Sequence, residues 1–262
     1  MKRLAFGITA ADRPGAERLG AELTRLGYEE LWSNDTRRGD GLAALAATAA
    51  GSDQLRLGVG VIALSEQAPA RIAERVEESG LEPGRLVVGV GSGSSASLAL
   101  VRDGVAELRR LLPEHPIGVA AVGPRMARLA GEVADAVIAN WALPDRLGFV
   151  RGHVAEGAEA AGRPAPRLVA YVRTAVGPGA EDRLRQETAR YAGYGPHYAR
   201  AFAAQPGQPI GVAIASGDTD ELAGAFAPYR DVVDTLVVRG LPAEDDVDSW
   251  LEVATAALSA AW

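Results

Sequence analysis

The sequence predicts an α/β fold, a parallel eight-stranded (β/α)8 TIM barrel, and three observations carry that expectation. Eight short apolar runs recur along the chain, helical patterns separate them, and 262 residues is about the length one such barrel needs. Runs this continuously apolar are buried on both faces, as in a parallel sheet covered by its crossover helices. A doubly wound open sheet is the alternative; eight repeats in a chain of this length favour closure. No linker divides the chain, so residues 1–262 read as a single domain.

The elements follow in order. LAFGITA (4–10) is a strand and PGAERLGAELTRLGY (14–28) a helix, with Leu19, Leu23 and Leu26 on one face and Gly27 ending it. EELWS (29–33) is a short strand, GLAALAATAAG (41–51) a buried helix and LRLGVGVIAL (55–64) a strand. PARIAERVEESG (69–80) is a helix with Pro at its start and Gly at its end. RLVVGVG (85–91) is a strand, followed by a helix over 95–112, a strand over 116–122 and a helix over 123–134 that opens on Pro124. DAVIANW (135–141) is a strand, 144–162 a helix and PRLVAYVRTAV (166–176) a strand. The stretch 180–205 is helical but broken at GYGP, and 209–217 is a loop or extended segment. A helix over 218–231, the last strand VDTLVVRGL (233–241) and a closing helix over 243–262 complete the chain.

Composition removes several classes of chemistry. There is no Cys, so disulfides, thiolate metal sites and cysteine nucleophiles are excluded. Lys2 is the only lysine, at the extreme N-terminus, a poor place for a P-loop or Schiff-base lysine. His115, His153 and His197 are scattered, so no metal site is expected. A net charge of −7 argues against a nucleic-acid surface. No run reaches the ~18 apolar residues of a membrane span, and MKRLAFGITAADRPG reads as a first strand instead of a signal peptide. No membrane partner is expected, and a cytoplasmic location is.

In a barrel the working face lies at the C-terminal strand ends. Those ends read Gly7-Ile8-Thr9, Trp32 to Thr36, Gly60 to Ala63, Gly91 to Ser94, Val122 to Arg125, Asn140-Trp141, Arg173-Thr174 and Arg239-Gly240. The set holds a ligand more readily than it hydrolyses one. GVGSGSS is not a dinucleotide fingerprint, because position 94 is Ser where the third Gly belongs. It is either a tight turn or half of a phosphate-bearing cofactor's seat. At AAVGPRMARL (120–129), Gly123 precedes a helix opened by Pro124, whose free first-turn amides suit an anion, with Arg125 as an added contact. A Pro-started helix with a solvated arginine is the plainer reading of the same residues.

RLGVGVIAL (56–64), PGRLVVGVGSGS (83–94), AVGPRMARLAGEVADAVIANW (121–141) and GYEELWSND (27–35) together resemble the bacterial-luciferase-like flavin-dependent monooxygenase family. The branch they are most similar to uses the deazaflavin coenzyme F420. The resemblance covers about residues 1–145 and returns at YRDVVDTLVVRG (229–240). It implies a (β/α)8 barrel with the cofactor across the C-terminal mouth. Gly60-Val61 matches the family's non-prolyl cis peptide behind the ring. Gly91, Ser92 and Gly93 match the corner beside the cofactor's side chain, Val122, Gly123 and Pro124 the phosphate-contacting amides, and Asn140 the next strand end.

The resemblance implies hydride transfer between coenzyme F420 and a small-molecule substrate. The other functions it leaves open are an FMN-dependent monooxygenase using O2 and a catalytically degenerate flavin-binding protein. A sugar-phosphate isomerase barrel is the option outside the family. The match falters at the catalytic corner, where many relatives have an acid followed by His and this chain has Asp35-Thr36; Ser94 stands where some carry Glu. Asp35, Thr36 and His197 are the catalytic candidates. Trp32 and Tyr194 are expected at the substrate, Tyr194 within YAGYGPHYARAF (191–202), part of a variable capping region over 176–231. A homodimer through the early barrel helices is a further implication of the family.

Overall fold

The computed structural model describes residues 3–9, 15–37, 39–194, 196–205, 207, 209–244 and 246–260, with the side chains of 196 and 197 outside that set. The strands are β1 (Arg3–Ile8), β2 (Glu30–Ser33), β3 (Arg56–Ala63), β4 (Leu86–Gly91), β5 (Ile117–Ala120), β6 (Ala136–Asn140), β7 (Arg167–Val176), β8 (Val212–Ile214) and β9 (Thr235–Gly240). All pairings are parallel. β1 to β7 pair in succession, β9 pairs with both β7 and β1, and the ring closes. The eight-stranded barrel is therefore as expected, and the open-sheet alternative falls. The segment read as loop or extended contributes β8, which pairs with the C-terminal end of β7, Thr174 opposite Val212.

The outer layer is α1 (Ala16–Leu26), α2 (Gly41–Ala49), α3 (Pro69–Ser79), α4 (Leu98–Leu111), α5 (Pro124–Val133) and α6 (Pro144–Ala160), then α9 (Thr219–Val232) and α10 (Val247–Ser259). The helix broken at GYGP is two, α7 (Ala180–Ala192) and α8 (Pro196–Ala203). Local signals set the ends. Asp40 caps α2 by accepting from the Ala43 amide at 2.9 Å, and Ser97 caps α4 through Leu100 at 3.2 Å. α4 starts later than position 95 because Gly93–Ser95 form a single 3-10 turn. α1 stops at Gly27, whose φ of 104° lets its amide return to the Leu23 and Thr24 carbonyls.

Alternation along each strand sends one set of side chains outward to the helices and the other into the barrel. The outward set, with Phe6, Leu31, Leu57 and Ile62, joins the main core. The inward set is a smaller cluster of Ala5, Trp32, Val87, Ile138, Tyr171 and Val237. Trp32 fits because β3 has Gly58 beside it; a Cβ there would come within 2.4 Å of the indole. The indole N–H donates to Glu30 Oε2 at 3.1 Å. Below it, at the N-terminal end, Glu30 accepts from Arg167 at 2.7 Å and Arg3 at 3.0 Å. Burial alone raises the Glu30 pKa, but the arginines, Arg167 foremost, and the indole bond win and hold it below the usual carboxylate range.

Candidate functional site

The C-terminal mouth is built unevenly. On one side β3, β4 and β5 present almost no side chain. β3 carries a cis peptide at Gly60-Val61 and a bulge between Val59 and Ile62. A Cβ placed on Gly91 would lie 3.1 Å from Val61 Cγ2 and 3.2 Å from the Ala120 Cβ. The three strand ends thus converge on one surface, and Gly60, Val61, Ala63, Ser92 and Ala120 on it are half-buried, above a core that is closed. Gly93 has φ 60°, and a Cβ there would come within 2.1 Å of Ser65 Oγ, so only glycine suits this bend.

At the edge of this ledge, Gly123 is the N-cap of α5 with extended φ −96° and ψ 156°, and it offers no side-chain cap. Space beyond it is open: a Cβ there meets nothing within 4 Å. The first-turn amides of Arg125 and Met126 have no carbonyl inside the helix to bond. Val122 is held by its carbonyl, which accepts from Arg146 at 2.7 Å. Pro124 and Arg125 are exposed and border an outer cleft of about 260 Å³ with Leu98, Arg102 and Arg128. Arg102 and Arg128 are paired with Glu132 and Glu156; among the described residues Arg125 makes no ion pair.

The opposite side of the mouth is polar and heavy. Asn140 ends β6, and Arg173 and Arg239 stand at directly paired positions of β7 and β9. Arg173 Nη1 donates to Asn140 Oδ1. Arg173 is 1% and Arg239 5% exposed, yet Arg173 Nε and Nη2 and Arg239 Nε have no hydrogen-bond partner. Burial, then the neighbouring Arg173, pushes the Arg239 pKa down to about 10, so it stays charged at neutral pH. One layer down, the Tyr171 hydroxyl is also without a partner, and a Cβ on Gly60 would fall 2.6 Å from it. Burial pushes its pKa well above the ordinary phenol value, so Oη keeps its proton and points a donor toward Gly60.

α7 and α8 cover this polar side. Trp141, with φ 55°, stacks its ring 4.2 Å from the Arg173 guanidinium and packs against Tyr191 and Phe202. Gln205 ties the cover down, donating to the Trp141 carbonyl at 2.9 Å and accepting from the Leu143 amide at 2.7 Å.

Several expected residues lie elsewhere than the mouth. Trp32 is wholly buried in the barrel interior over Gly58. Asp35 is enclosed by donors. Arg75 grips both its oxygens at 2.8 and 3.0 Å, and the Gly41 amide and Gln67 complete the shell at 2.9 and 3.2 Å. A carboxylate so saturated anchors the 34–41 loop to α3. Thr36 is exposed and pairs with Gly39 in a small antiparallel bridge. Tyr194 follows α7 and is 57% exposed, its ring 5.1 Å from Tyr191. His197 falls on α8, and its side chain lies outside the described residues. Conversely, Arg173 and Arg239 stand in the sequence only as two members of the strand-end set, and Tyr171 carries no signal there; the β7–β9 register is what brings the two arginines together.

Among the described residues no group of three His, Asp or Glu side chains gathers to hold a metal, and no helix is long and apolar enough to cross a membrane.

Comparison with known proteins agrees with this architecture. The family model described as luciferase-like monooxygenase matches residues 8–105 and 99–254. A 5,10-methylenetetrahydromethanopterin reductase of Methanolobus tindarius is 25% identical over 173 residues, 52% of this chain and 53% of that protein. The chain thus aligns with about half the length of that relative. An F420-dependent secondary alcohol dehydrogenase, solved with an F420-acetone adduct, superposes with a TM-score of 0.77 at 15% identity, covering 99% of both chains. The F420-dependent tetrahydromethanopterin reductase of Methanopyrus kandleri gives 0.73 at 16% identity, covering 99% of this chain and 98% of that one. At these identities the superpositions speak to the fold.

Proposed function

Because the chain belongs to the luciferase-like monooxygenase family, we propose that it is an F420-dependent oxidoreductase acting on a small organic molecule. The observation that carries this reading is the convergence of the β3, β4 and β5 ends on one nearly side-chain-free ledge beside the open N-terminus of α5. The reductase and dehydrogenase similarities direct the choice of cofactor. FMN is the alternative within the same family.

The residues present fit a ring joined to a phosphate. Gly60, Val61 and Gly91 supply a flat, partly open support, and the Tyr171 hydroxyl beside Gly60 is a buried donor lacking an acceptor. Ser92 and Gly93 flank the ledge. Gly123 and the amides after Pro124 would take the phosphate, with Arg125 as a free cation beside them and Asn140 at the next strand end. When bound, the deazaflavin supplies the hydride-accepting or hydride-donating carbon. The chain's part is then to hold ring and substrate in register, which accounts for most of what such a transfer needs. α7 and α8 keep water from the polar side, and the Tyr171 proton stays on Oη. With Asp35 held by Arg75, proton delivery falls to water or to the capping segment that carries Tyr194 and His197.

The reading also carries a cytoplasmic location and a homodimer. The Ala-rich face of α2 supports the latter, where Leu42, Ala43, Ala46 and Ala47 line an outer cleft of about 450 Å³ against α3. Parallel fluorescence titrations with F420 and FMN test the proposal. Saturable F420 binding tighter than FMN binding supports it; FMN preference moves the protein to the monooxygenase reading, and binding of neither overturns both.

A further inference from the structure

We propose that Arg173 and Arg239 form a built anion subsite, and that the substrate bears a carboxylate which this pair receives opposite the glycine ledge. The inference deepens the oxidoreductase reading, on which it rests for what the carboxylate is attached to.

The two arginines occupy paired register positions on β7 and β9; the Arg173 guanidinium lies over the Trp141 and Tyr191 rings, at 4.2 and 5.0 Å, and that of Arg239 lies 5.1 Å over Trp250. Each is more than nine-tenths buried, and neither makes an ion pair among the described residues. Three of their N–H-bearing nitrogens have no acceptor. The bonds they do make go to neutral oxygens, the Asn140 amide and the Gly240 carbonyl, the latter at 2.5 Å. The acid that bears on Arg239, Glu187, is already taken by Arg190 at 2.6 Å. Two like charges held together out of water are costly unless an anion joins them. A guanidinium fork matches a carboxylate in shape as well as charge.

A phosphate shares the sign of charge, but the α5 amides and Arg125 already offer a phosphate seat at the other side of the mouth. Trp141, stacked 4.2 Å from Arg173, is a built-in reporter.

The test uses cofactor-free wild-type protein and the variants Arg173→Met and Arg239→Met. Tryptophan fluorescence and thermal shift are followed during titration with acetate, benzoate, their neutral amides and inorganic phosphate. We expect the carboxylates to saturate and raise Tm, the amides to do neither, and each variant to weaken benzoate by at least ~10-fold. Both variants keep F420 affinity within about threefold. Arg173→Lys, which retains charge, recovers part of the response. Removing an uncompensated charge leaves the ligand-free Tm equal or higher. Equal responses to acid and amide, or no saturable response, overturn the subsite. So does a phosphate-only response accompanied by loss of F420 binding in the variants, which gives the pair to the cofactor. Because the anion titrations contain no cofactor, failure of wild-type protein to bind F420 refutes the oxidoreductase reading without touching this result.

Discussion

Replacing Gly123 with Asp separates the requirements of folding from those of binding, because the structure sets the two effects in opposite directions. Gly123 sits in extended backbone that any residue adopts, and a Cβ there meets nothing within 4 Å. A side chain at an N-cap reaches the amides of the next turn, so an Asp carboxylate would occupy the same donors a phosphate needs. For the fold this adds a cap worth a few tenths of a kcal/mol over Gly, plus roughly 0.3–1 kcal/mol from the helix dipole. On a chain of this length that is a Tm rise of about 1–5 °C. For the cofactor it removes two charge-assisted hydrogen bonds, at about 1.5 kcal/mol each, and sets a like charge beside the phosphate. A loss of about 3 kcal/mol is a ~100-fold rise in Kd. The assay is differential scanning fluorimetry with F420 fluorescence titration on the same samples, and Gly123→Ala serves as control, expected to lose roughly 0.5–1 kcal/mol of stability as a poorer cap while keeping F420 affinity. If Gly123→Asp binds F420 within threefold of wild type, the α5 N-terminus is not the phosphate seat and the reasoning fails.

Three further outcomes are expected. Tyr171→Phe removes a buried hydroxyl without a partner, so ligand-free Tm holds or rises, while F420 affinity drops by a factor of about 5–10, the worth of one hydrogen bond; a fall in ligand-free Tm of several degrees contradicts the orphaned donor. Glu30→Gln leaves Arg3 and Arg167 without their buried counter-charge and costs about 3–5 kcal/mol at neutral pH. Since the folded pKa is lowered, that contribution is complete above the unfolded value near 4.3 and is lost as pH falls through the folded one. The gap between the thermal melts of the two proteins should stay level above about pH 4.3 and narrow steadily as pH falls below it, and a gap that does not narrow on acidification refutes the assignment. Asp35→Asn breaks the grip of Arg75 and lowers stability by about 2–4 kcal/mol, but the shape of the kcat pH profile stays as it was. Disappearance of an acidic limb in the profile would return Asp35 to a proton-transfer role.

Much of the barrel was legible because its code is local. Apolar runs, Pro at helix starts and Gly27 or Gly80 at helix ends each act within a few residues. β8 escaped because three residues attached to the end of β7 carry too short a pattern to register. The glycine ledge was legible for the same local reason, since Gly60 interrupts an apolar run and Gly91 and Gly123 end or follow one. What misled was long-range pairing. Asp35 reads as an available acid until α3 brings Arg75 onto it from 40 residues away. Trp32 reads as a mouth residue at the end of a strand, yet β2 is four residues long and its third position faces inward over Gly58. Arg173 and Arg239 are ordinary in sequence, and only the β7–β9 register makes them neighbours without an acid between them.

The central claim is that the ends of β3, β4 and β5 together receive the cofactor, and hydrogen–deuterium exchange with and without saturating F420 tests it most directly. The account predicts slowed exchange in peptides spanning 59–64, 89–95 and 121–127, with no change in 80–86 and 113–117 at the opposite end of the barrel. Protection confined to that opposite end, or to the outer cleft between α2 and α3, would contradict it.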